Sequence, residues 1–155
     1  MPRLISMATS LATHHETPGW SVNSTNNTYG DDNPIVYQNA VVNYKGMYST
    51  STGEVTIPFT GTWFIALFQY LRIDNNEDAY PRLQYSIDGG SNWANLCYAY
   101  THITGASGSQ VHNTVSYQVM NEFDKSTLLR VANQGSGDIY RGAQENRFSG
   151  FLMYG

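Results

Sequence analysis

The chain has 155 residues, a net charge of -4 at pH 7 and only 13% charged residues. A single domain of this length buries roughly 70% of its unfolded surface, enough for a self-sufficient core. The 41% hydrophobic and 14% aromatic content excludes a disordered chain, the sparse charge excludes a coiled coil, and eight Lys and Arg are too few for a stripe that neutralises phosphates or anionic lipid.

Residues 1–33 form a compositional segment of their own, nearly all polar from Asn23 to Asn33. Leu4 to Ala12 is too short and too polar for a secretory leader, and His14-His15-Glu16 lacks the second helical His that a zinc protease requires. Trp20, Val22 and Tyr29 are the large anchors that follow. This composition predicts an extended N-terminal arm, either mobile or pinned to a neighbouring surface by those three side chains. Asn23-Ser24-Thr25 and Asn26-Asn27-Thr28 fit the glycosylation triplet, which an Asn-rich arm produces by chance.

From residue 34 to 155 the pattern becomes period two, broken by turn residues, and predicts a single all-β domain, a sandwich or a barrel. Nine strands are expected, at 35–44, 54–57, 62–72, 82–87, 93–101, 112–120, 127–133, 139–141 and 147–154. Val115, Tyr117 and Val119 alternate with Ser116 and Gln118, which fits one buried face and one wet face. The strand at 62–72 is apolar on both faces: Trp63, Ile65 and Leu67 point one way, and Phe64, Ala66, Phe68 and Tyr70 the other. The last strand repeats this, with Phe148, Leu152 and Tyr154 set against Phe151 and Met153. A two-layer sandwich has one interior, so a second apolar face needs a cover, most economically identical subunits.

Chemistry-bearing motifs are sparse. Ser86-Ile87-Asp88-Gly89-Gly90-Ser91-Asn92-Trp93 resembles the Asp-box of sialidases, whose physics is structural: Asp88 accepts turn amides, Gly89 and Gly90 allow positive φ, and Trp93 packs on the hairpin. One copy makes no propeller. Asp74-Asn75-Asn76-Glu77-Asp78 spaces oxygen ligands as calcium loops do, but Ala79 and Tyr85 stand where such a loop needs Gly and Glu. Ser107 or Ser109 with His102 or His112 lacks a nucleophile elbow, and Gly135-Ser136-Gly137 leads into a strand and not a phosphate-binding helix. The single Cys97 lies in an apolar run and reads as a small core side chain. Neither a cofactor, a metal nor a catalytic set is implied.

Val41 to Phe64 holds an Asn, a Tyr before a turn, Thr52-Gly53, an alternating strand, Pro58, and Gly61 before the aromatic pair Trp63-Phe64. With the terminal Arg147-Phe148-Ser149-Gly150-Phe151-Leu152-Met153-Tyr154, this resembles the globular head of complement subcomponent q, in a viral or bacterial form. Asp124 sits where that family has a Gly-Asp turn, with Phe123 replacing the Gly. The resemblance implies a ten-strand, two-sheet jelly roll shared with tumour necrosis factor, trimeric about an axis lined by Phe64, Phe68, Tyr70, Phe151 and Met153. It implies a non-enzymatic binding module.

Two functions are expected from this reading. The first is a virion surface protein, either a capsid decoration (cement) protein or a fibre knob, partnered by the capsid or fibre of its own particle. A start without a leader, the lack of a collagen stalk, and the polar arm favour it. The alternative is an extracellular carbohydrate- or receptor-binding adhesion head, its ligand a surface glycan or receptor held by exposed aromatics and the loops near 74–80 and 104–109.

Overall fold

The computed structural model describes residues 17–24, 29–30, 34–73, 78–102, 111–135, 138–140 and 146–155. His14-His15-Glu16, the Asn26 triplet, Asn75 to Glu77, Ser107 and Ser109 lie outside them. The strands are β1 (Gly19–Asn23), β2 (Tyr29–Gly30), β3 (Asn39–Asn43), β4 (Glu54–Thr56), β5 (Gly61–Ile73), β6 (Asp78–Ser86), β7 (Ala94–Tyr98), β8 (Thr101–His102), β9 (Val111–Phe123), β10 (Leu128–Gln134), β11 (Asp138–Tyr140) and β12 (Arg147–Tyr154).

All pairings are antiparallel, in two sheets. In the larger, β5 pairs with β9 along its whole length on one side. On its other side it pairs with β12 as far as Phe68 and with β11 beyond, and β1 and then β3 follow outside β12. The smaller sheet runs β4-β10-β6-β7, with β8 beside β6. This is a jelly-roll sandwich whose core lies between the sheets: Trp63, Ile65, Leu67 and Leu71 of β5 meet Leu83 of β6 and Leu129 and Val131 of β10.

Of the arm expected at 1–33, the described residues 17–24 and 29–30 are corrected by this topology. Gly19–Asn23 is an internal strand, paired with β12 on one side and β3 on the other. Trp20 and Val22 are therefore not anchors for another surface: both are buried in the chain's own core. Trp20 stacks edge-on to Phe148 at 5.3 Å and lies 6.1 Å from Trp63. Its indole is seated on Gly150, where an added Cβ would come within 2.3 Å of the ring. The glycine of the closing strand is thus a slot for the tryptophan of the first one. Tyr29 contributes backbone pairing to Tyr140 in the same sheet.

Two further expectations shift. Residues 35–38 keep the predicted alternation, with Ile35 and Tyr37 buried, but form no strand. Their amides are met irregularly, Ile35 donating to the Val131 carbonyl at 2.8 Å and Tyr37 to the Tyr48 hydroxyl at 2.7 Å. In β12 the register slips between Leu152 and Tyr154, so Tyr154 pairs with Thr62 and stands exposed instead of pointing inward. At the altered turn Phe123 is core, and Ser126 takes the positive φ of 73° that a glycine would ordinarily carry.

Candidate functional site

The outward side of the larger sheet is built row by row from the β5 register. Phe64 has Met120 of β9 on one side and Phe151 of β12 on the other, with the two phenyl rings 5.2 Å apart. The next row is small and polar: Gln118, Ala66, Ser149 and Ser21. Ser116, Phe68 and Arg147 follow, and then Thr114 beside Tyr70, whose ring stacks on His112 at 5.4 Å. Between the two phenylalanine rows the small side chains leave a depression of about 300 Å³, lined by Ala66, Phe68, Ser116, Gln118, Arg147 and Ser149.

This surface is apolar where it should be wet. Phe68 is 41% exposed, Phe151 44%, Met153 45% and Met120 63%. Covering what is left exposed of one such side chain is worth about half of the 1.5–3 kcal/mol of full burial, so the row structure is a standing drive toward a partner. The five residues singled out from sequence, Phe64, Phe68, Tyr70, Phe151 and Met153, all belong to β5 or β12 of this one sheet. Met120 escaped the sequence reading because it is one apolar residue on the polar side of an alternating strand. Only its register opposite Phe64 gives it a role.

The outward side of the smaller sheet has a different chemistry. At one end the Ser86–Trp93 hairpin is tied by Asp88, which accepts from the Asn92 amide at 2.9 Å, the Asn92 side chain at 2.6 Å and the Ser86 hydroxyl at 2.7 Å. These donors, the Asn92 amide first, hold the Asp88 carboxyl down to about 2. Gly89 and Gly90 have φ of 71° and 90°, and the Trp93 indole donates to the Gly90 carbonyl at 3.0 Å. The Arg130 guanidinium covers the Trp93 ring at 3.9 Å, and its Nε donates to Gln84, which donates in turn to Asn95.

At the other end lies a cluster of which the sequence reading named only the 74–80 loop, with Asp78 and Tyr80. The Tyr80 and Tyr100 rings stack at 4.6 Å, and both hydroxyls donate to the Asp78 carboxylate, at 3.2 and 3.4 Å. Arg82 sits 5.8 Å from the ring centres of both Tyr80 and Tyr98. The available signal was Tyr80 and Arg82 at alternate positions of one strand; the strand's beginning at Asp78 and Tyr98 opposite Arg82 were not readable locally.

Nucleophilic chemistry finds little footing among the described residues. His112 is engaged with Tyr70, and burial pushes the Cys97 thiol up to about 11, away from the reactive thiolate. No group of three potential metal ligands occurs among the described residues. In the first glycosylation triplet Ser24 is buried and bonds Gln38, while Asn23 bonds Asn39.

No family model matches the chain, and no curated protein matches it by sequence. Solved structures do match it. The Eiger TNF of S. frugiperda superposes with a TM-score of 0.76 at 10% identity, over 89% of this chain and 93% of that one. The globular domain of zebrafish complement 1qA gives 0.64 at 16% identity, over 90% of this chain and 98% of that one. The fold, reached from strand register and core packing, is a jelly roll similar to those of tumour necrosis factor and the complement 1q globular domain.

Proposed function

We propose that the protein is a non-enzymatic, homotrimeric structural and interaction module, its copies joined through the outward side of the larger sheet. The observation that carries this reading is the exposed row of Met120, Phe64 and Phe151 with Phe68 beyond it, all on one sheet face. The order of three comes from the fold likeness. An axis running along β5 lets each row meet its own copies: phenylalanine with phenylalanine, and the depression at Ala66 with itself. Light scattering at micromolar concentration should give three times the chain mass of 17.3 kDa, and a monomer there would remove the reading.

Within it, we favour the surface of a virus particle, as a capsid decoration protein or a fibre knob. The support is the sequence ahead of β1: residues 1–16, with Leu4, Ile5 and Leu11 as apolar contacts, serve in this reading as a docking peptide for a shell subunit. Three such segments per trimer multiply weak contacts by effective concentration. Cutting at residue 16 should leave a folded trimer that no longer occupies particles; full occupancy after the cut refutes docking by this segment.

A further inference from the structure

The outward side of the smaller sheet carries the next inference. Its β6–β8 end holds three tyrosine rings, of which Tyr98 is 62% and Tyr100 53% exposed, around one carboxylate and one guanidinium. We propose that Tyr80, Tyr98 and Tyr100, with Asp78 and Arg82, form a binding platform for a neutral pyranose glycan.

The chemistry of the cluster selects that ligand. A tyrosine face carries negative quadrupole charge and attracts polarised C–H groups, which one side of a pyranose presents as a sheet. The equatorial hydroxyls then need planar acceptors and donors at the rim. Asp78, which takes hydrogen bonds from two tyrosine hydroxyls, is the acceptor, and Arg82, 5.8 Å from two ring centres, supplies N–H groups. Arg82 Nε is buried and has no hydrogen-bond partner among the described residues. Among the described residues of the cluster one negative and one positive group balance, which suits a neutral sugar over an acidic one.

Competing occupants fit less well. A protein partner would dry the Asp78 carboxylate without replacing its solvation, and the cores of protein interfaces are depleted in Asp for that reason. Sugar hydroxyls bring their own donors. A nucleic acid would meet a chain of net charge -4. The platform lies within one chain and on the sheet opposite the proposed subunit contact, so it does not depend on assembly.

The test is titration of the intact protein with free galactose-, glucose- and mannose-based tetrasaccharides, followed by intrinsic tyrosine and tryptophan fluorescence. At least one series should saturate. Tyr98→Ala and Tyr100→Ala should each weaken it roughly five- to tenfold, as the loss of one stacked ring predicts. Asp78→Asn should weaken it through the acceptor while leaving the rings in place. Thr56→Ala, on the far β4 edge of the same sheet, should change nothing. Both tyrosines are surface side chains, so melting curves of the variants should match the parent. No saturable binding to any of the three series overturns the platform. So does binding that survives both tyrosine substitutions, or a polypeptide ligand at this face that excess free sugar fails to displace.

Discussion

The larger sheet turns Phe64, Phe68, Met120 and Phe151 outward, whereas the smaller one turns out Asp78, Tyr80, Arg82, Gln84 and Arg130. Both sheets use the same alternation and send apolar side chains to one core, the larger Trp20, Val22, Trp63, Ile65 and Leu67 and the smaller Val55, Leu83, Leu129 and Val131. The difference lies in what the outward residues can do alone. Tyr, Arg and Gln satisfy one another, as the Arg130–Gln84–Asn95 and Tyr80–Asp78–Tyr100 sets do, and still face water. Phe and Met have no such option, so their surface is complete only when something covers it.

The comparison breaks most severely at β1, because the apolar face exists only while its sheet is whole. Removing residues 1–24 deletes Trp20 and Val22 from the core and leaves β12 and β3 without the strand between them. Loss of one buried Trp alone costs about 3–5 kcal/mol, so this truncation should unfold the chain, read as loss of the cooperative thermal transition. Removal of residues 1–16 should keep it.

The next largest effect contrasts the faces directly. Phe64→Asp places a carboxylate between Met120 and Phe151 and costs several kcal/mol of association, so the variant should sediment as a monomer or fail to fold. Tyr98→Asp makes a comparable change on a side chain 62% exposed on the other sheet. It should leave the assembly state unchanged and shift unfolding in urea by about 1 kcal/mol or less.

The smallest effect concerns the hairpin. The folded Asp88 carboxyl titrates near 2, below its ordinary 3.8. A depressed carboxyl stabilises the fold fully above the unfolded value and loses that contribution as pH falls through the folded one. Melting temperature should therefore decline between about pH 4 and pH 2 more steeply in the parent than in Asp88→Asn. Equal slopes would mean that the Asn92 and Ser86 bonds do not favour the ionised form.

The sequence by itself determined the all-β class and most strands from residue 54 onward, because period-two alternation and turn residues are local. It also determined that β5 and β12 are apolar on two sides, since that too is read within one strand. The structure decided where residues 17–24 and 29–30 belong. Trp20 in a polar stretch looks like an anchor for a foreign surface, and its slot at Gly150 lies at the opposite end of the chain, joined to it only by β1–β12 pairing. Met120 and the tyrosine platform were hidden for the same reason. A residue's face follows from its own strand, but its neighbours on that face follow from register between strands that sequence spacing does not encode.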